Sequence, residues 1–301
     1  MFSSYALSEN QLTTLLILGI ICGVAVLYCF VVGTITKNYS QMDKLWSILP
    51  IVYVWVVAIR SGFNLRSFAI ALIVTVWGIR LTYNFARKGA YSLRFWEGKE
   101  DYRWKIVQSN KFFSKPYRWV LFNLLFISFY QNALVLGICL PSLVVMESSA
   151  AFGIIDLFAL AFALIFLFLE TSADEVQWKF HQEKARLLKE NGSLDKLPAP
   201  YNLGFNTMSI WGILRHPNYL GEQGIWFSIY FFVVGAGLSN YGIFNWSFVP
   251  ALLLIFLFLG SSELGESISS SKYPLYQEYQ AQVFKYLPIR KFKLKNNEEG
   301  K

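Results

Sequence analysis

The polar segment Arg215–Glu222 carries the residues in this sequence that are best suited to bind an anionic ligand. It reads Arg-His-Pro-Asn-Tyr-Leu-Gly-Glu and runs directly into an apolar stretch from Gly224 to Gly237. Polar groups at the start of a membrane helix are costly unless they bind something. Arg215 offers a planar guanidinium that matches phosphate, and Pro217 favours a new helix whose first N–H groups attract negative charge. The segment therefore predicts an anion-binding site.

Within this segment, Asn218 and Glu222 are four residues apart and share one helix face. An amide and a carboxylate in that arrangement are suited to bind a carboxamide or a ribose. The alternative is that Arg215 and His216 reach toward lipid headgroups while Glu222 pairs with Arg215. The residue types favour the binding site.

Other motifs for nucleotides, nucleophiles or metals are weak or absent in the sequence. Residues Gly235–Asn240 imitate part of a dinucleotide fingerprint, but they neither follow a strand nor open a helix, so we interpret them as helix-packing residues and a turn. There is no Gly-Xaa-Ser-Xaa-Gly elbow and no phosphate-binding loop. The two histidines, His181 and His216, lack carboxylates at metal-ligand spacing, and the three cysteines lie in apolar stretches. We therefore expect no metal site.

The elements that must position these groups are apolar helices. Hydrophobic residues make up 55% of the chain and charged residues 15%, against about a quarter charged in soluble domains. This composition predicts an all-α, multi-pass membrane protein with one domain over residues 1–290 and a charged tail at 291–301. About 20 apolar residues cross a bilayer. The seven predicted spans are Leu12–Gly33, Leu45–Ile59, Phe68–Ala86, Trp119–Pro141, Ala151–Leu169, Leu220–Leu238 and Trp246–Gly260.

The distribution of Lys and Arg predicts the orientation. Basic residues are concentrated in residues 87–118, 171–219 and 261–301, and this pattern places the three segments and the C-terminus in the cytosol. Arg60 and Arg66 fall on the outer side. Because the basic residues belong to membrane-adjacent loops, we expect no nucleic-acid partner. The expected location is the endoplasmic reticulum in a eukaryote or the inner membrane in a bacterium.

The Arg215–Glu222 motif closely resembles the C-terminal motif of the steroid 5-alpha-reductase family, above all its poorly characterised branch of reductase-like membrane proteins. The resemblance covers roughly residues 40–290, and it implies a C-terminal signature region at residues 150–290. The other matching segments, in chain order, are Asp43 with Trp46, Trp77–Tyr83, Arg87, Glu100–Trp104, Glu170, Ala173-Asp174 with Gln177, Glu266, Tyr273–Tyr279 and Leu287-Pro288.

This resemblance implies a seven-helix membrane fold and an NADPH cofactor that enters from the cytosol. It implies hydride delivery to an activated carbon–carbon double bond of a lipid or sterol-like substrate, by a protein that we expect to be a monomer in the bilayer. The cofactor residues that it implies are Asp174, Asn218 and Glu222 toward the nicotinamide, Arg80, Arg103 and Arg215 toward phosphate or ribose, and His216, Tyr219 and Glu266 beside them.

The family uses a glutamate and a tyrosine to polarise the substrate oxygen, and the resemblance implies Asp43 and Tyr83 as the catalytic donors here. Steroid-reducing members also carry an arginine shortly before the motif, where this chain has Gly204 or Phe205. Phosphate contact is then expected from Lys179 or Arg103, and the preference for NADPH over NADH stays open.

Two other functions are compatible with the sequence. Membrane methyltransferases that use S-adenosylmethionine on isoprenylcysteine or phospholipids share the Arg-His-Pro core. Glu222 directly after Gly221, and the matches at Arg80 and Glu100–Trp104, favour the reductase instead. The other alternative is a membrane scaffold or lipid carrier that has kept the fold without the chemistry.

Overall fold

The computed structural model describes residues 7–240 and 243–293, and within these ranges the chain is helical. These residues form no β-strand, which agrees with the predicted all-α class. Residues 294–301 of the predicted tail lie outside the described residues. The α-helices are α1 (Glu9–Thr36), α2 (Gln41–Leu45), α3 (Leu49–Arg60), α4 (Leu65–Arg87), α5 (Tyr102–Gln108), α6 (Pro116–Phe122), α7 (Gln131–Val145), α8 (Ile154–Asn191), α9 (Pro217–Gly235), α10 (Val249–Lys272) and α11 (Tyr276–Gln282).

Helices long and apolar enough to cross a membrane account for about half of the described residues. In the described residues there are five: Glu9–Thr36, Leu65–Arg87, Pro116–Val145, Ile154–Asn191 and Trp246–Lys272. The two other predicted spans correspond to α3, a shorter apolar helix, and to α9, which has 19 residues. The helices support a multi-pass membrane protein in contact with lipid. The count of seven spans stays a prediction.

Local sequence signals account for several helix ends. The α1 helix begins with a reciprocal capping box, in which the Ser8 side chain accepts the Gln11 N–H and the Gln11 side chain accepts the Ser8 N–H. Pro50 lies in the first turn of α3, where its missing N–H costs nothing. The α8 helix continues unbroken beyond its apolar half and ends at Asn191, before Gly192 with a φ of +81°.

The chain forms two compact units. Unit 1 comprises Met1–Ala163 and Trp226–Leu254, and unit 2 comprises Leu164–Ile225 and Ile255–Lys301. In unit 1, α3 packs against α4 and α7, and α1 packs against α7. In unit 2, a buried aromatic cluster forms around Phe205, Tyr276 and Tyr279.

Unit 1 contains a fully buried ion pair. Arg66 donates from Nε and Nη2 to the two carboxylate oxygens of Asp156 at 2.8 and 2.7 Å, and the two side chains are only 2% and 0% exposed. Its Nη atoms also donate to backbone carbonyls, including that of Gly235. Arg60 donates to Thr14 at 2.6 Å. The two arginines that the predicted orientation places on the outer side therefore both have partners.

Side chains of α2 donate hydrogen bonds to the backbone of residues 88–101, the segment between α4 and α5. Lys44 is completely buried and donates from Nζ to the carbonyls of Phe95 and Glu97 at 2.9 and 2.5 Å. Gln41 donates to the Trp96 carbonyl at 2.9 Å. These bonds give an extended loop a fixed shape without regular secondary structure.

Candidate functional site

In unit 2, helices α8 and α9 approach so closely that only glycine fits between them at two positions. A Cβ added at Gly221 would lie 2.6 Å from the Cβ of Glu170, and one at Gly224 would lie 2.2 Å from the Phe166 ring. Real Cβ atoms do not tolerate such distances. The glycine of the Arg215–Glu222 motif therefore fixes the register of α9 against α8.

This register brings Asn218 to Asp174. Asn218 precedes Gly221 by about one turn, and Asp174 follows Glu170 by one turn, so the pair meets next to the glycine contact. The Asn218 amide donates from Nδ2 to Asp174 Oδ1 at 3.4 Å. The Oδ1 atom of Asn218 is buried and has no hydrogen-bond partner among the described residues. It is an acceptor suited to a ligand N–H or O–H group.

Three carboxylates on the adjoining turns of α8 and α9 are buried. Glu170, Asp174 and Glu222 are only 2%, 8% and 6% exposed. Carboxylates are rarely buried without partners, and all three make polar interactions within the chain. The resemblance implies a common cofactor role for Asp174, Asn218 and Glu222, and the structure places the first two of them in contact.

Arg215 is bound to the C-terminal part of unit 2. Its Nε donates to Glu266 Oε1 at 2.9 Å, and its Nη1 donates to the carbonyls of Gln280 and Val283 at 2.7 and 2.8 Å. The planar fork of arginine suits such simultaneous contacts. Arg215 thus holds α10 and the end of α11 to the motif, which is a structural role beside the phosphate contact that the sequence predicts.

Glu266 is the centre of this polar cluster. Besides Arg215, it binds His216 Nε2 at 2.8 Å through Oε1 and accepts the Gln280 side-chain N–H at 2.8 Å through Oε2. The His216 ring also stacks on Tyr219, with ring centroids 5.2 Å apart. Sequence reasoning missed Gln280. The available signal was its position one residue after the matching segment that ends at Tyr279.

A groove of about 310 Å³ opens beside Arg215 and is lined by residues 280, 281 and 283–287. The backbone forms one wall, since the N–H groups of Arg215 and His216 donate to the carbonyls of Phe284 and Lys285 at 3.1 and 3.2 Å. Lys285 lies in this wall and forms an ion pair with Glu263. The volume is at the lower end of the range for small-molecule pockets.

The predicted donor Asp43 lies in unit 1, where its Oδ2 accepts the Trp104 indole N–H at 2.9 Å. Burial raises the pKa of the Asp43 carboxyl, and the negative charge of Asp101 raises it further. Arg103 lies in the same cluster and binds Asp101 through two hydrogen bonds of 3.0 and 2.7 Å. The Asp43 carboxyl is therefore easier to keep protonated than an ordinary aspartate.

The other predicted donor, Tyr83, lies on α4 and is 64% exposed. The Arg87 guanidinium lies 5.5 Å from the centre of its ring. Arg80 precedes Tyr83 by about one turn of the same helix and is half-buried. Unit 1 therefore contains two groups of predicted residues, Asp43 with Arg103 and Arg80 with Tyr83.

The positions that correspond to the missing family arginine belong to the core of unit 2. Gly204 has a φ of +82°, and a Cβ there would lie 2.3 Å from the Tyr273 ring. Phe205 is 6% exposed and packs on the tyrosines of the aromatic cluster. Neither position has room for an arginine. Lys179, one of the two predicted substitutes, is exposed on α8 and lies 3.4 Å from Glu175.

Comparison with known proteins gives a family without an assigned function. The family model described as "Protein of unknown function (DUF1295)" matches residues 29–283. The Schizosaccharomyces pombe protein named "Uncharacterized protein C594.04c" is 33% identical over 288 residues, which cover 88% of this chain and 79% of that protein. No solved structure matches the chain. The chain therefore belongs to the DUF1295 family, which is a steroid 5-alpha-reductase-like family.

Proposed function

We propose that the protein is a membrane oxidoreductase that reduces an activated carbon–carbon double bond of a lipid or sterol-like substrate with NADPH. The observation that carries this proposal is the buried, unpartnered Oδ1 of Asn218 beside Asp174 in unit 2. A buried acceptor without a partner is costly, and a ligand donor would remove that cost. The steroid 5-alpha-reductase-like family supports the choice of reaction.

The residues around Asn218 fit a nicotinamide nucleoside. The Asn218 oxygen would accept an N–H of the nicotinamide carboxamide, and the carboxylates of Asp174 and Glu222 would accept ribose hydroxyls. The tight packing of Gly221 on Glu170 holds these side chains on two rigid helices, as a preorganised binding site requires. When bound, NADPH supplies a hydride.

Reduction of a double bond also requires a proton, which the chain must hold near the substrate. Asp43 is suited to this role because its raised pKa favours the protonated carboxyl and because Trp104 fixes its orientation. Tyr83 is the second proposed donor, because its phenol carries an O–H group that can donate a hydrogen bond. A donor of either kind would stabilise the negative charge that develops on the oxygen of an enone.

The phosphate groups of the cofactor need cationic partners. Lys179 is the proposed contact in unit 2, because the positions at Gly204 and Phe205 are filled by the aromatic core. Arg215 would add charge to the groove of unit 2 while it holds Glu266. The choice between NADPH and NADH depends on a contact to the 2′-phosphate.

The test uses the full-length protein purified in detergent, with binding of NADPH, NADH and S-adenosylmethionine followed by thermal shift. We expect NADPH to raise the melting temperature, and Asn218→Ala to weaken its binding about tenfold, the usual effect of losing one hydrogen bond to a buried group. Asn202→Ala, which changes an exposed asparagine of the same unit, is the matched control and should bind NADPH like the wild type.

Turnover is tested separately with cholest-4-en-3-one, a sterol enone, by following NADPH oxidation. If the protein binds S-adenosylmethionine and does not bind NADPH, the methyltransferase function replaces the proposed reductase function. Failure to bind any of the three nucleotides would favour a scaffold or lipid carrier. Equal NADPH affinity in the wild type and Asn218→Ala would overturn the assigned site.

A further inference from the structure

The C-terminal end of unit 2 exposes a short loop that is fixed at both of its ends. At one end, the carbonyls of residues 284–285 accept the N–H groups of residues 215–216 at 3.1 and 3.2 Å. At the other end, the Phe292 N–H donates to the Gly212 carbonyl at 2.8 Å, and the Phe292 side chain packs on the buried aromatic cluster. The loop at residues 286–291 is therefore held beside the segment that precedes α9.

The two helices next to this loop place it at a boundary between apolar and polar sequence. The α9 helix begins at Pro217, and its apolar stretch starts at Gly224. The α10 helix has no charged residue before Glu263, which forms an ion pair with Lys285. Membrane helices keep their charged residues outside the hydrocarbon core wherever they can. The loop therefore lies at the level where both helices leave the apolar part of the bilayer.

The loop presents apolar side chains to its surroundings. Leu287 and Ile289 are 57% and 66% exposed, and Phe284, just before the loop, is 42% exposed. Pro288 stiffens the backbone between the first two. Neighbouring apolar side chains on a surface mark a site of interaction with a protein or a membrane. At a membrane boundary, such side chains are suited to enter the headgroup region of the bilayer.

The same part of the chain is strongly basic. Residues 284–293 contain four basic residues and no acidic one. Arg290, Lys291 and Lys293 are exposed, and none of them forms an ion pair with a residue that the structure describes. By contrast, the exposed Arg186 of the same unit pairs with two glutamates of α8. Positive charge without an internal partner at a membrane boundary is complementary to anionic lipid headgroups.

We propose that the loop at residues 286–291 docks on the bilayer that holds the protein and binds the headgroups of anionic phospholipids. Leu287 and Ile289 enter the headgroup region, and Arg290 and Lys291 contact the phosphates. The predicted orientation places this loop on the cytosolic side, where anionic lipids are concentrated. Each basic residue near such a surface strengthens the interaction by about fivefold. This inference goes beyond the reductase, since it specifies an interaction surface and requires no cofactor.

The experiment places a polarity-sensitive NBD fluorophore on the loop of the full-length protein in lipid nanodiscs, without any nucleotide. Ile289→Cys provides the attachment site, and Cys22, Cys29 and Cys139 do not compete because they are buried. One set of nanodiscs contains phosphatidylcholine alone, and the other contains equal parts of phosphatidylcholine and phosphatidylserine. We expect the emission maximum to lie at shorter wavelength with phosphatidylserine, and we expect high salt to remove this shift.

The reference position for water is Lys189→Cys, labelled in the same way. Lys189 is exposed on α8 and lies about 30 Å along the helix beyond Leu169, where the apolar stretch ends. Its label should emit at the same wavelength in both sets of nanodiscs.

Arg290→Gln combined with Lys291→Gln should abolish the difference between the two lipids at residue 289. The matched control is Lys189→Gln with Lys196→Gln, which removes two exposed charges of the same unit and should keep the difference. The proposal is overturned if the label at residue 289 emits at the same wavelength in both lipids, or if the two double variants lose the difference equally. Emission like that of the reference position in both lipids would assign the loop to a protein partner instead. Because no nucleotide is present, none of these outcomes depends on NADPH binding.

Discussion

Gly221 packs directly on the backbone of Glu170, with 2.9 Å separating the position of its missing Cβ from the Glu170 Cα. Gly221→Ala should destabilise the protein by about 1–3 kcal/mol, because overpacking displaces the neighbouring helix. It should also weaken NADPH binding, since the same contact sets the distance between Asp174 and Asn218. Thermal unfolding and nucleotide titration measure the two effects.

Gly265→Ala is the control for this substitution, because the Cβ position of Gly265 on α10 has nothing within 4 Å. Alanine there should leave stability unchanged or raise it by up to about 1 kcal/mol, through its higher helix propensity. Equal stability of the two variants would contradict the close packing of α8 and α9.

Removing Arg215 or Glu266 alone should cost about 3–5 kcal/mol, because each leaves the other charge buried without its main partner. The double variant Arg215→Met with Glu266→Met should cost less than the sum of the two single variants. A double-mutant cycle by denaturant unfolding measures this coupling. Strict additivity would show that the ion pair does not link the motif to α10.

Tyr279→Phe should destabilise the protein by about 1–3 kcal/mol, because it leaves the buried Trp211 carbonyl without the hydrogen bond that it accepts at 2.5 Å. Burial raises the pKa of the Tyr279 phenol, so this bond persists throughout the physiological range. Tyr117→Phe, at an exposed tyrosine, is the control and should change stability by less than about 0.5 kcal/mol. Thermal unfolding of both variants checks the prediction.

The Arg103–Asp101 pair should make the stability of the protein depend on pH in the acidic range. Burial raises the pKa of Asp101, but the hydrogen bonds and charge of Arg103 outweigh it, and the net pKa lies below the ordinary value of 3.8. The pair therefore stabilises the folded protein at pH values above 3.8. This stabilisation is lost as the pH falls through the lowered pKa of Asp101 in the folded state. Arg103→Gln should cost about 1 kcal/mol at pH 7 and less below pH 3.8.

Asp43 complicates this measurement, because its raised pKa makes stability fall as the pH rises above 3.8. Arg103→Gln is therefore compared with its parent protein in an Asp43→Asn background, by thermal unfolding at a series of pH values. A difference in melting temperature between the two proteins that does not change with pH would contradict the ionic role of Arg103.

Structural features that depend on a local sequence pattern could be predicted from the sequence. The run through Ala173-Asp174 contains no helix breaker and Gly192 follows Asn191, and these local signals account for the continuation and the end of α8. The polar motif was correctly placed at the start of a helix, since α9 begins at Pro217. Local pattern is sufficient here because breakers and caps act within one turn.

Features that depend on contacts between distant segments were not predictable in the same way. Nothing in the composition shows that Gly221 meets Glu170, or that the carbonyls of Gln280 and Val283 bind Arg215. The exposure of the Tyr83 side chain could also not be predicted from the sequence, because an aromatic residue near a helix end can face either the core or the surroundings. Tertiary packing determines which face is buried.

The buried Arg66–Asp156 pair has a consequence for biosynthesis. Its two charges are 90 residues apart in the sequence, which corresponds to roughly 5–18 s of translation at about 5–20 residues per second. Throughout that interval α4 carries an arginine whose carboxylate partner has not yet been synthesised, so unit 1 can complete its folding only after α8 begins to emerge. A chain that ends before residue 156 should therefore be a poor folding unit, because its Arg66 lacks the carboxylate that neutralises it in the folded protein.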